Sequence, residues 1–140
     1  MRMHITPSDV KRSKIIKPGW YHFKINKVVD EPSKAGDSVN TVVDVEGLEG
    51  DAAGVPIKIW FSEKAPSFAI PFIKANGGSV SEETGSDYDM ATAQGNVVRC
   101  KVETQPGLNG RPQNMIADWA PSTGGAGSAT KAPEPDIDIA

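Results

Sequence analysis

The chain of 140 residues has a single cysteine, Cys100. One thiol excludes an intrachain disulfide and any zinc site built from several cysteines. It lies in Val97-Val98-Arg99-Cys100-Lys101-Val102, where apolar and charged residues alternate. A buried structural thiol is expected there rather than a nucleophile. Histidine is almost as scarce, and His4 and His22 have no spacing that suits a metal. No apolar run approaches the ~20 residues of a membrane-spanning helix. The first residues lack the hydrophobic region of a secretory signal, so the expected location is the cytoplasm. A phosphate-cradling loop is missing too: Gly124-Gly125-Ala126-Gly127 lacks the preceding strand, the lysine and the following helix. Acidic residues are plentiful, but none pairs with a base or another ligand at a familiar spacing. No catalytic residue, metal or cofactor is therefore expected, although carboxylates assembled only by folding stay open.

Aromatic residues make up 6% of the chain, against 14 glycines and 11 prolines. That balance favours short strands and turns over long helices, and the length suits one domain with its own core. Net charge is −3, which by itself argues against a polyanion partner. The distribution argues the other way. Residues 1–34 hold eight Lys/Arg against three Asp/Glu, and residues 35–140 hold seven against fifteen. A basic front and an acidic rear suggest a polyanion-binding surface with a separate acidic appendage.

Residues 1–17 read as an N-terminal arm, either a short helical turn capped at Ser8-Asp9 or a mobile basic segment. Pro18-Gly19 then signals a turn. In the following stretch, 20–29, Tyr21, Phe23 and Ile25 alternate with Trp20, His22, Lys24 and Asn26. Strand side chains alternate between faces, so the first set suits a core. The second set mixes an indole with a cation and hydrogen-bonding groups, which is unusual for a face that merely meets water. A second strand covers 39–46, with Val43 and Val45 facing opposite to Val42 and Asp44. A third covers 55–61, with Ile57, Ile59 and Phe61 on one face and Lys58 and Trp60 on the other. Trp60 and Lys58 thus repeat the pairing of Trp20 with Lys24. Residues 62–76 read as a helix stopped by Gly77-Gly78, with Pro66 in a first turn, Pro71 kinking or restarting it, and Phe68, Phe72 and Ile73 in the core. Residues 79–94 form a polar, acidic excursion ending in a short helical turn. A fourth strand, 97–104, turns Val98, Cys100 and Val102 inward and Arg99 and Lys101 outward. A fifth covers 113–119. From 121 the Gly/Ser/Thr composition of a linker leads to an acidic tip at 134–140.

Three strands, a helix and two strands is the order of an OB-fold, an all-β five-stranded barrel with its helix between strands three and four. A plain five-stranded antiparallel barrel or sandwich is the fallback. Lys17-Pro18-Gly19-Trp20-Tyr21-His22-Phe23, the loop Ser33-Lys34-Ala35-Gly36-Asp37, and Asn109-Gly110-Arg111 followed by 114–119 resemble phage-encoded single-stranded DNA-binding proteins. The likeness covers roughly residues 8–120 (an OB-fold domain at 18–120). It implies sequence-tolerant binding to single strands in phage DNA replication or recombination. The tail is similar in layout to that of bacterial single-stranded DNA-binding proteins, whose acidic tip recruits partner proteins. Here Glu134, Asp136, Ile137, Asp138 and Ile139 would form that tip, which ends in Ala140 rather than an aromatic residue.

Single strands are held by stacking bases on aromatic rings and by cations along the phosphates. Trp20 and Trp60 are the stacking candidates, ahead of Tyr21, which shares parity with Phe23, and of Trp119. The alternative for each tryptophan is a half-buried barrel residue, and for Trp119 that is the stronger reading. Lys24, Lys58, Arg99, Lys101 and Arg111 are the phosphate candidates, with Lys34 and Lys27 behind them. The acidic tip could compete with phosphate for the same cations. A non-catalytic protein-interaction or assembly barrel using exposed tryptophans is the competing reading, and a small hydrolase or nuclease accessory is a third. An edge strand could also pair copies into a homo-oligomer.

Overall fold

The alternation of residues 20–29 continues further than its own pattern reveals, because a single bulge resets it. In the computed structural model, which describes residues 1–107 and 110–122, strand β1 runs Gly19–Pro32. Phe23 and Ile25 are fully buried, and Trp20, Lys24 and Asn26 are exposed. Strict alternation would then turn Lys27 inward. Instead Ile25 pairs with Val45 and Lys27 with Asp44, so Asn26 is the extra residue of a bulge. Asn26 and Lys27 both face outward, and Val28 packs against the core.

Strand β2 is Val39–Gly47, β3 is Pro56–Ser62, β4 is Val97–Pro106 and β5 is Pro112–Pro121. The five form one antiparallel sheet in the order β3-β2-β1-β4-β5. β1 is the hinge of this sheet: its first half pairs with β4 and its second half with β2. No ladder joins the edges β3 and β5, so the sheet is open. Side chains bridge the gap. Phe61 of β3, Phe72 and Trp119 of β5 stack in a chain, with ring centroids 5.0 Å apart for Phe61–Phe72 and 4.9 Å for the edge-on Phe72–Trp119 pair. Trp119 is thereby a core residue and not a stacking platform.

Between β3 and β4 lies a 3-10 turn, Pro66–Ala69, followed by helix α2, Ile70–Ala75. Here α1 denotes the earlier helix Pro7–Ser13. Pro71 restarts the helix rather than kinking it, since it stands in the first turn of α2 where a missing N–H is not needed. The stop is a Schellman motif: Gly77 at φ 86° donates to the Lys74 carbonyl, and Gly78 donates to that of Ile73. Phe72 is fully buried as expected, but Phe68 is 59% exposed, a correction to its assignment to the core. The 3-10 geometry before α2 aims it away from the interior, and it touches Phe61 from outside at 5.6 Å between centroids.

α1 is capped by Thr6 rather than Ser8-Asp9. Thr6 Oγ1 accepts from the Asp9 N–H at 3.1 Å, and Asp9 Oδ2 accepts from the Thr6 N–H at 2.9 Å, a reciprocal capping box. The segment read as an arm is tied to the sheet. Ile16 is 1% exposed, its N–H donates to Asn114 Oδ1, and Asn114 Nδ2 donates to the Lys14 carbonyl. At the other end Ser122 is 3% exposed, so the fold extends past 121. The tip residues Glu134, Asp136, Ile137, Asp138 and Ile139, the Gly/Ser-rich stretch before them, and Asn109 of the resemblance motif lie outside the described residues. Cys100 is fully buried, and burial pushes its thiol well above the ordinary range, which fits a structural residue.

Candidate nucleic-acid interface

The outward face of β3 carries Lys58 and Trp60 because Ile57 and Phe61 alternate with them into the core. Trp60 is 53% exposed, and Lys58 Nζ sits 5.9 Å from its ring centroid, within cation–π range. Behind Trp60 the outward-facing Val42 is only 7% exposed, with Trp60 and Val29 as its cross-strand neighbours. The indole therefore has a nearly buried apolar residue as its cross-strand neighbour on the outward face.

Two adjoining depressions meet at this indole. One, of about 470 Å³, runs over the sheet past Asp44 and the bulged Asn26. The other, of about 420 Å³, runs between β3 and the start of β5, past Ile15, Arg111 and Asn114. Arg12, Lys58 and Trp60 line both. Taken together they form a trough lined by the indole and by three cations, Arg12, Lys58 and Arg111. Asp44 is the acid of its lining, and its carboxylate is 3.9 Å from Lys58 Nζ, too long for a firm pair. Arg12 makes an equally loose contact with Asp9, 3.8 Å. Cations held this weakly on exposed side chains are available to phosphate at little cost.

Trp20, Arg99 and Lys101 form a second patch on the outward side of β1 and β4. Trp20 pairs across the strands with Lys101, and His22 pairs with Arg99. Trp20 is 44% exposed, and the Arg99 guanidinium carbon lies 5.8 Å from its ring centroid. Arg99 is not loose: its Nε donates to the Pro121 carbonyl at 2.9 Å. Lys101 lies 3.6 Å from the Glu103 carboxylate. His22 is fixed as well, with Nδ1 2.8 Å from Glu49 Oε2 and Nε2 3.2 Å from the Ser122 carbonyl. Burial opposes ionisation of Glu49, yet hydrogen bonds from the His22 ring and backbone N–H outweigh it and hold the carboxyl below its ordinary range.

Trp60 reaches β1 at Val29 through Val42, nine residues along from Trp20. At ~3.3 Å per residue the two indoles would stand ~30 Å apart on a straight strand, and the bulge bends that path. The structure therefore brings Lys58, Trp60 and Arg111 into one trough and places Trp20, Arg99 and Lys101 in a separate patch. Lys24 is exposed between them, opposite Glu46 and Val97. Lys34 is exposed in the turn joining β1 to β2 and lines neither depression. Arg12 is the residue that reading by strands missed. Its signal was the basic run Lys11-Arg12-Ser13-Lys14, which gained a location only when α1 packed beside β3.

No protein-family model matches the chain, and no curated protein matches it. Among the described residues no cluster of His, Cys, Asp or Glu could hold a metal ion, and no helix is long and apolar enough to cross a membrane.

Proposed function

We propose that this protein binds single-stranded DNA without sequence preference and without catalysis, in the trough around Trp60. The observation that carries this reading is a half-exposed indole shared by two adjoining depressions, with Arg12 and Lys58 lining both and Arg111 lining the second. A base stacks on the ring while the cations follow the phosphates, and since every base has a π-face the sequence hardly matters. The open sheet is read as an OB-type fold whose two edges meet through Phe61 and Trp119. Its support is the strand order, the helix between β3 and β4, and one long bulged strand shared by both halves. The resemblance of the Trp20 and Gly110 motifs to phage proteins is the support for a role in phage DNA replication or recombination within this proposal. Partner recruitment through Glu134, Asp136, Ile137, Asp138 and Ile139 belongs to the same reading.

Titration with oligo-dT, followed by tryptophan fluorescence, tests the proposal. Trp119 is buried and supplies a constant background, so quenching reports the exposed indoles. Quenching that weakens as salt rises is the expected outcome. No change at low salt overturns the reading and leaves the exposed tryptophans to a protein partner. Single-stranded DNA, single-stranded RNA and duplex run side by side define the substrate, since discrimination rests on contacts to the 2′-hydroxyl. The acidic tail is expected to compete with phosphate for the trough, so removing it tightens binding at low salt. That deletion should start at residue 123, because Pro121 and Ser122 are held by Arg99 and His22. Weaker binding after deletion would make the tail part of the site.

A further inference from the structure

On the α2 side of the sheet lies a cavity of about 290 Å³, floored by Phe61, Ala69, Ile73, Tyr88 and Met90. That is at the small end of the ~300–1,000 Å³ of ligand pockets, room for one or two side chains rather than a cofactor. Its rim carries Asp30 and Glu63. One Asp30 oxygen accepts from the Thr41 hydroxyl and one Glu63 oxygen from the Val39 N–H, and among the described residues the second oxygen of each has no partner. The connection that walls the cavity, residues 79–89, holds four acids and no Lys or Arg. The exposed Phe68 stands beside it, ring against Phe61. An apolar hole in an acidic surface calls for an apolar side chain delivered next to a cation.

The same chain displays such a segment. Residues 1–5 precede α1 in irregular conformation, and Met1, Met3 and Ile5 are 110%, 66% and 60% exposed. Among the described residues no hydrogen bond or ion pair involves them, and none lines the cavity of its own molecule. Extended, the segment sets Met1, Met3 and Ile5 on one side and Arg2 and His4 on the other. We propose that residues 1–5 of one copy dock in the acidic-rimmed cavity of a second copy, methionine inward and Arg2 against Asp30 and Glu63. Segment and cavity are different surfaces, so the contact is head-to-tail and leaves a free segment and a free cavity at the two ends of every assembly. The contact does not depend on what the trough binds.

Sedimentation of the full chain across a concentration series, without nucleic acid, tests this. The mass is expected to rise past that of a dimer and to fall back with salt. Met3→Glu puts an acid into an acidic hole, and Ser86→Arg puts a cation at an exposed position of the rim; each variant alone should stay monomeric. Mixed, the first supplies an intact cavity and the second an intact segment, so the pair should reach twice the mass of one chain and stop there. A full chain that stays monomeric at every concentration overturns the proposal, as does self-association that neither variant disturbs. A mixture that fails to pair overturns it too. Circular dichroism and cooperative unfolding matching the parent confirm that both variants are folded.

Discussion

Lys58 beside Trp60 and Arg99 beside Trp20 are the same pairing in one respect, a cation some 6 Å from an indole on the outward side of a strand. They differ in what holds the cation and what lies around the ring. Lys58 has only a loose contact with Asp44, and its indole opens onto two depressions that Arg12 also lines. Arg99 is anchored to the Pro121 carbonyl, and its neighbour His22 is clamped between Glu49 and Ser122. A tethered cation stiffens the end of β5 and has less freedom to follow a phosphate. The comparison teaches that what an aromatic–cation pair can offer a ligand depends on its surroundings: on empty space beside the ring and on how firmly the cation is held.

The sharpest way to break this contrast is to remove the rings one at a time, starting with the tryptophan that belongs to neither patch. Trp119→Ala is expected to lower unfolding free energy by ~3–5 kcal/mol, since it empties the bridge between β3 and β5. Urea denaturation measures this, and a loss near zero would mean that the sheet edges do not depend on the aromatic chain. Trp60→Ala should weaken oligo-dT binding by ~1–3 kcal/mol with little change in stability. Trp20→Ala should cost clearly less; equal losses would erase the distinction and make the DNA path span both patches. Cations sharpen the same point. Lys58→Ala and Arg12→Ala should each reduce the slope of log affinity against log salt by ~0.7, whereas Lys34→Ala should leave it unchanged.

The smallest effect is on acid stability and singles out the Trp20 side. Because the Glu49 carboxyl is held below its ordinary range, it contributes stability above its unfolded-state pKa and loses it as pH falls through the lower folded value. Glu49→Gln is thus expected to cost a little stability at neutral pH, with the gap from the parent closing below about pH 4. Denaturation midpoints across that range decide it, and a gap that persists in acid would show that the carboxylate does not act through its charge. Oligo-dT affinity at neutral pH should barely move, since Glu49 lines neither depression.

Much of the sheet was legible in the chain. The inward residues of β3 and β4 and the outward Lys58, Trp60, Arg99 and Lys101 follow from a period of two that no neighbour overrides. The exceptions have local causes. Asn26 and Lys27 face the same way because a bulge inserts a residue without changing composition, and only the pairing of Lys27 with Asp44 exposes it. Phe68 was misplaced because a 3-10 turn and an α-helix present different faces for the same residues. Trp119, ranked behind Trp20 and Trp60 as a platform, is indeed buried, but residue type alone does not separate the three, since an indole suits a core and a surface alike.

Alternation, turn residues and charge distribution determined by themselves where five strands lie, which side chains face together in β3 and β4, and that the front of the chain is basic, although β1 runs on to Pro32 through residues whose composition reads as a loop. Those properties depend on near neighbours and on the geometry of an extended backbone. Only the tertiary structure decided that Arg12 from α1, Lys58 and Trp60 from β3 and Arg111 just before β5 line one trough while Trp20 does not. Such a grouping is set by which strands become edges and how far β1 bends, and both depend on contacts between residues far apart in sequence.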